Sequence, residues 1–241
     1  MELVDIHSHL LWGLDDGCQA PEETLEAARA LVSLGYTDSA PSPHAQLRYP
    51  GGDPQACASR LEEARALLAG AGIPLRLHRN AENPADDLYL AGLEQGRARG
   101  IGEAQRFALV EFPFLGEVQD PGRVVARVRA MGVMPIVAHP ERCQLFELPG
   151  MAAAVVRAGA ALQINIGSLT GRHGQMARSI AERFLGEGLY AVAGTDLHGP
   201  HEAAEWIEEA LGALERRAGQ AELLRLCSEN PRRSLAGEAL R

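Results

Sequence analysis

Seven short apolar runs recur along the chain, at about residues 3–7, 36–40, 73–79, 107–112, 134–138, 161–166 and 190–194, and their β-branched content predicts strands. Between them apolar positions take helical spacing. The segment 21–34 opens with Pro21 and stops at Gly35, and 54–69 follows Asp53 as its cap with Pro54 at the first helical position. Residues 122–131, 150–158, 174–186 and 201–217 show the same spacing, with Gly132, Gly159, Gly188 and Gly219 just beyond their ends. Strand then helix, repeated about seven times, predicts an α/β fold on a parallel sheet, either closed as a barrel or open and doubly wound. No GxGxxG or GxxxxGK[ST] follows the first strand, which weakens a nucleotide-binding open sheet. No linker, charge block or low-complexity stretch divides the chain, so residues 1–241 read as one domain.

Composition narrows the function. A net charge of −9 argues against nucleic-acid or membrane-surface partners, which call for a basic face. An acidic chain that handles phosphate must supply local cations, from metals or arginines. The N-terminus lacks a basic stretch followed by an apolar one, and no run approaches the ~18 apolar residues of a membrane span, so a cytoplasmic location is expected. Cys18, Cys57, Cys143 and Cys227 form no CxxC pair and read as reduced thiols.

The chemistry lies where the strands end. In parallel α/β folds, sites gather at the carboxyl ends of the strands. The first strand ends in DIHSHLLWGLDDG, with His7 and His9 alternating to the same side and Asp15 and Asp16 in the following loop. A lone His-x-His is weak evidence, but the later strand ends continue the series: His44, Glu82, Glu111, His139 with Arg142, Asn165 with Ser168, and Asp196 with His198. Five of the eight histidines sit there, and the carboxylates follow apolar runs where an unpaired charge is costly to bury. A cluster of cations relieves that cost. His78, inside a predicted strand, and His173, opening a helix, read as structural. Nine candidate ligands among the strand-end residues are too many for one ion, and carboxylates bridging cations ~3.5–4 Å apart are how multinuclear hydrolases fill such a site. Amidohydrolase barrels that begin with His-x-His usually bridge with a carboxylated lysine. This chain has no lysine, which leaves Glu82 as the bridging carboxylate.

The ordered set DIHSHLLWGLDDG, SPH at 42–44, AE at 81–82, LVEF at 109–112, VAHPER at 137–142, QINIGSLTG at 163–171, GTDLH at 194–198 and ENPRR at 229–233 resembles the PHP (polymerase and histidinol phosphatase) superfamily. Within it, the pattern is most similar to the bacterial capsule-associated, manganese-dependent protein-tyrosine phosphatases. The resemblance implies a distorted seven-stranded, TIM-barrel-like (β/α) barrel with three divalent metal ions, manganese first and iron or zinc as alternatives. It implies one metal on His7, His9, Glu82 and Asp196, a second on Glu82, Glu111 and His139, and a third on Asp16, His44 and His198. Arg142 would grip the substrate phosphate. The implied reaction is phosphomonoester hydrolysis by a metal-bound hydroxide, with His198 or a metal-bound water protonating the leaving oxygen. The implied substrate is a phosphotyrosine protein, a tyrosine autokinase that controls polysaccharide export. The chain departs from the family pattern in Asn80 before Ala81 and Glu82, in the loop AQLRYPGG, and in Gly199-Pro200-His201, where some members carry an arginine.

Competing readings are a small-molecule phosphatase of histidinol-phosphate type, a phosphodiesterase, and a metal-bound regulator without turnover. A further rival is Cys227 with Arg233, which fits the C-x5-R loop of cysteine-dependent phosphatases. That loop needs glycines and follows a strand, whereas Cys227 follows the helical stretch AELLRL, expected to end at Pro231.

Overall fold

A computed structural model describes residues 1–95, 99–115, 120–201 and 203–241. Among the described residues, eight parallel strands alternate with helices except between the third and fourth, which follow one another directly. Strands β1 (Leu3–Asp5), β2 (Tyr36–Ser39) and β3 (Arg76–Leu77) form one sheet. Strands β4 (Glu82–Pro84), β5 (Phe107–Glu111), β6 (Met134–Val137), β7 (Ala161–Asn165) and β8 (Val192–Gly194) form the other. Isolated bridges, Ser8 after β1 to Leu197 after β8 and His44 after β2 to Glu82 in β4, join the two sheets, so the strands curl into a ring.

Period-two alternation separates two cores. Phe107, Leu109, Ile136, Ala138, Val4, Ile6 and Val192 pack together inside the ring, whereas Ala108, Val110, Val137, Leu162 and Ile164 belong to the larger cluster beneath the helices.

The expected strand count of seven is corrected to eight. The third predicted strand, 73–79, shrinks to β3, after which Asn80 donates its side-chain amide to the Ile6 and Ala40 carbonyls at 2.8 and 3.4 Å. The chain leaves β2 there and starts a new strand on β5, with Glu82 beside Leu109. Glu82-Asn83-Pro84 is polar and contains a proline, so no apolar run announces it.

The predicted helices appear as α1 (Pro21–Ser33), α2 (Pro54–Gly70), α4 (Pro121–Ala130), α5 (Met151–Arg157), α6 (Gln175–Gly186) and α7 (Ala203–Ala218). Residue 202 of the predicted helix 201–217 lies outside the described residues. The Asp53 side chain accepts from Gln55 N at 3.0 Å, as a cap should. An unpredicted helix, α3 (Asp87–Glu94), is capped by Asp86, which accepts from Tyr89 N at 2.7 Å. Pro231 does not end the last helical segment. Helix α8 (Gln220–Leu224) runs through a π-turn, Arg225–Glu229, into α9 (Asn230–Ala236), where Pro231 sits in the first turn. The wider turn accommodates a residue that lacks an N–H.

Candidate metal centre

His7 and His9 leave the end of β1 fully buried, and each ring is fixed from behind. His7 Nδ1 lies 2.9 Å from Gln163 Oε1, and the Gln163 amide nitrogen is spent on the Ile164 carbonyl. The oxygen therefore accepts, and Nδ1 carries the proton. His9 Nδ1 donates to Asp15 Oδ2 at 2.6 Å, while Asp15 also accepts from Gly17 N and His44 N. Both rings thus turn Nε2 forward, the tautomer that second-layer partners impose on metal-binding histidines. Gly17 allows the Asp15–Asp16 loop to press on β1, since a Cβ there would meet the His9 backbone oxygen at 2.3 Å.

Glu82 stands at the middle of four imidazoles. Its Oε1 is 3.3 Å from His7 Nε2 and 3.0 Å from His139 Nε2, and its Oε2 is 3.5 Å from His9 Nε2 and 3.1 Å from His44 Nδ1. Asp196 Oδ1 faces His7 Nε2 at 3.2 Å and His9 Nε2 at 3.3 Å. Its Oδ2 accepts from Asn165 Nδ2 at 3.0 Å and from the Arg142 guanidinium. Asp16 Oδ1 lies 3.3 Å from His44 Nε2 and 3.7 Å from His198 Nε2. Glu111 Oε2 is 4.0 Å from His44 Nδ1. His198 donates Nδ1–H to the Asp196 carbonyl at 2.8 Å, which leaves Nε2 open.

Eight of the nine candidate ligands fall into three groups at one end of the ring, and the ninth, His139, adjoins them through Glu82. His7, His9, Glu82 and Asp196 form one, His9, Asp16, His44 and His198 another, and His44, Glu82 and Glu111 the third. The grouping differs from the sequence expectation in two respects, the first being that His9 also joins Asp16, His44 and His198. The second is that His44 rather than His139 joins Glu82 and Glu111, and His139 approaches the other Glu82 oxygen.

The donor set fits cations. His7 Nε2, His9 Nε2, His44 Nδ1, His139 Nδ1 and Glu82 Oε2 are buried without a hydrogen-bond partner. Lone pairs facing lone pairs at 3 Å need either an extra proton or a metal between them. Burial alone would lower the His7 pKa, but the Glu82 and Asp196 charges overcome it and hold it well above the ordinary imidazole value. Burial is likewise outweighed at Glu82, where the surrounding imidazoles keep the carboxyl well below its usual range. A cation entering here displaces those protons, so its affinity rises with pH.

Two of the candidate ligands sit on left-handed backbone, His139 at φ 29° and Asp196 at φ 55°. Non-glycine residues there cost about 1–3 kcal/mol each and persist where surrounding structure over-determines them. At His139 the conformation has a use. Ile136 and Ala138 point into the ring, so strict alternation would send residue 139 outward, and the reversed φ brings it back.

Arg142, in the turn after His139, lays its guanidinium over Phe114 with Cζ 4.6 Å from the ring centre. Behind it Glu141 is fully buried and accepts from Asn165 N, Ser168 Oγ and Tyr190 OH. Asn165 and Ser168, named from the sequence, thus hold the scaffold. Gln163 and Phe114 were missed. A glutamine inside the apolar run AALQIN was the available signal. His173, read as structural, borders a cavity beside the centre, whereas His78 pairs with Asp38 at 2.8 Å.

Cys227 lies in the π-turn, 2% exposed, and burial pushes its thiol up to about 12. Such a thiol is no nucleophile. Cys227→Ser is expected to keep turnover within about threefold of wild type, since buried structural cysteines are inert. A hundredfold loss in a folded variant would restore the cysteine mechanism.

The family model for capsular polysaccharide synthesis, CpsB/CapC, matches residues 3–236. The chain is 28% identical over 234 residues to the tyrosine-protein phosphatase YwqE of Bacillus subtilis, covering 95% of this chain and 89% of that protein. It is 20% identical over 244 residues to the tyrosine-protein phosphatase CpsB of Streptococcus pneumoniae, covering 99% and 100%. A solved structure from work on YwqE and CpsB, described as unique metal-dependent tyrosine phosphatases, superposes with a TM-score of 0.89 at 27% identity over 99% of this chain and 96% of that one. Histidinol phosphate phosphatase from Lactococcus lactis shares the fold, with a TM-score of 0.53 at 14% identity over 87% and 93% of the two chains.

Proposed function

The chain belongs to the CpsB/CapC family of capsular polysaccharide synthesis, and from that premise we propose that it is a metal-dependent protein-tyrosine phosphatase. One observation carries the reading: a single buried carboxylate, Glu82, sits among four imidazoles, and the Arg142 fork lies one residue away from it across Asp196.

Three divalent ions, manganese in the first instance, account for the donors. The first takes His7, His9, Glu82 and Asp196. The second takes Glu82 and Glu111 with His139, and His44 stands close enough to share it. The third takes Asp16, His44 and His198. Ions held this way lower the pKa of water and neutralise phosphoryl oxygens. Mixed imidazole and carboxylate ligation suits manganese, iron and zinc alike.

The protein's own groups do the positioning. Arg142 is fixed by Asp196 on one side and Phe114 on the other, so its planar fork meets a phosphate with little ordering still to be done. His198 has one open nitrogen, so it can ligate or donate a proton but not both, and we assign it to the third ion. A tyrosyl oxygen, with an ordinary pKa of about 10, leaves more readily than an alkyl oxygen and needs less of a proton donor. The physiological substrate in this reading is a phosphotyrosine protein in the cytoplasm, a tyrosine autokinase of polysaccharide export. No helix among the described residues is long and apolar enough to cross a membrane.

The test is purified protein with manganese, assayed on a phosphotyrosine peptide, histidinol phosphate and a phosphodiester. The peptide should be hydrolysed fastest, and chelation should abolish turnover while thiol alkylation leaves it intact. Faster hydrolysis of histidinol phosphate moves the activity to a small-molecule phosphatase, and turnover that survives chelation removes the metal from the mechanism.

A further inference from the structure

A cavity of about 410 Å³ opens from the metal centre, sharing Arg142, Asp196 and His198 with it. Its far side is built by residues with no part in metal binding. The 3-10 turn after β7 (Ile166–Thr170) ends at Gly171, whose φ of 83° redirects the chain and presents Arg172 and His173 to the cavity. Helix α7 contributes Trp206, and Arg172 rests on that indole with Cζ 4.7 Å from the ring centre. The indole N–H is buried and has no acceptor among the described residues.

The charge in this cavity is opposite to that of the chain. The protein carries a net −9, yet among the described residues lining this cavity the guanidinium groups of Arg142 and Arg172 face one carboxylate, Asp196, beside His173, whose imidazole burial pushes down to about 4 and so leaves neutral. Arg142 and the ring nitrogens nearest the centre are engaged with Asp196. Arg172 is different, for its guanidinium has no carboxylate or carbonyl partner among the described residues and only the aromatic face beneath it. A guanidinium stacked on an indole is held in place while all its donors stay free, an arrangement suited to carboxylate or phosphate.

Resting on the phosphatase reading, we propose that Arg172 on Trp206 is a second anion subsite, which selects phosphotyrosine segments that carry a further negative group close to the phosphotyrosine. With the phosphate at Arg142, the aryl ring lies in the shared part of the cavity and the adjacent main chain passes the α7 side. There a neighbouring Asp or Glu side chain meets Arg172. The subsite also answers a difficulty posed by the net charge. An acidic segment is repelled by most of this surface, and a local pair of arginines makes its approach favourable.

The experiment compares two phosphotyrosine peptides, one with Asp or Glu within two positions of the phosphotyrosine and one with neutral residues there, on wild type, Arg172→Ala, Arg172→Lys and Arg172→Glu. Wild type should favour the acidic peptide about tenfold in kcat/KM, mostly through KM, which is the size of one well-formed charged contact. Raising salt should erode that preference. Arg172→Ala should abolish it, Arg172→Lys should keep part of it, and Arg172→Glu should reverse it in favour of a peptide with basic flanks. An unchanged acidic-to-neutral ratio in the Ala and Glu variants overturns the subsite. If a variant fails to fold, the salt dependence of the wild-type ratio decides: a ratio near one at all salt concentrations also overturns it. Wild-type protein inactive on both peptides sinks the phosphatase reading and the subsite together, whereas turnover with an unaltered ratio sinks the subsite alone.

Discussion

Glu82→Gln is expected to empty the centre of metal as well as stop turnover. Each Glu82 oxygen faces two imidazole nitrogens, at 3.0 and 3.3 Å on one side and 3.1 and 3.5 Å on the other, so the carboxylate is the shared anion of the cluster. Glutamine keeps the shape but loses the charge and one lone-pair-bearing oxygen. Changes to residues that merely orient metal ligands already cost about 10–100-fold in metal affinity, so a bridging ligand should cost at least about a hundredfold. The substitution also separates two roles. A residue that acts only in proton transfer leaves the metals in place when replaced, whereas a bridge takes them with it. Stability gives an independent sign. In metal-free protein the surrounding imidazoles carry the counter-charge that keeps Glu82 ionised, so removing its charge strands them and the variant without metal should melt below wild type without metal. Elemental analysis of the purified variant checks the first expectation and thermal melting the second. A full complement of metal in Glu82→Gln would remove the bridge from the account.

Arg142→Ala should keep the metals and lose the phosphate. Its guanidinium bonds to Asp196 Oδ2, but that oxygen also accepts from Asn165 at 3.0 Å, so Asp196 stays aimed at His7 and His9 without the arginine. Phe114 loses its cationic neighbour but no packing partner in the core, since it is already 39% exposed. The expected loss in kcat/KM is about 2–4 kcal/mol, the range for removing a charged donor from a transition-state contact. Arg142→Lys should recover part of it, because a point charge cannot reproduce the fork. Inorganic phosphate as product inhibitor should weaken in parallel. Hydrolysis of phosphotyrosine by Arg142→Ala within about threefold of wild type would leave the metals alone to hold the substrate.

The strand ends were legible because burial of so many histidines and carboxylates after apolar runs has few physical explanations, and a ring of parallel strands gathers them at one end. What stayed hidden has a common cause. Strand β4 is three residues of polar and proline character, set by where Asn80 ties the chain to the Ile6 and Ala40 carbonyls, and neither partner is local. The Gln163 contact spans 156 residues and the Asp196–Arg142 contact 54, so no window of sequence contains them. The π-turn that carries the chain through Pro231 replaces a local stop signal with tertiary packing, since Leu223, Leu226 and Cys227 bury one face there. His173 read as structural because it opens a helical stretch, whereas the cavity it borders is completed by Trp206 of α7 and the segment after β8.

The closure of the ring sets an order of assembly. Asp5, buried at the end of β1, accepts from both the backbone N–H and the hydroxyl of Thr195, 190 residues later, and Ser8 bridges to Leu197 beside them. During synthesis at ~5–20 residues per second, the first histidines therefore wait on the order of ten seconds or more for their last partners. Until then His7 and His9 are half a site, open to whatever soft or hard cation is most abundant, and the affinity order of divalent ions, rather than the finished geometry, governs what they meet. Once β8 docks, the same contact that seals the ring delivers Asp196, so under the proposed metal reading the site is complete only when the fold is.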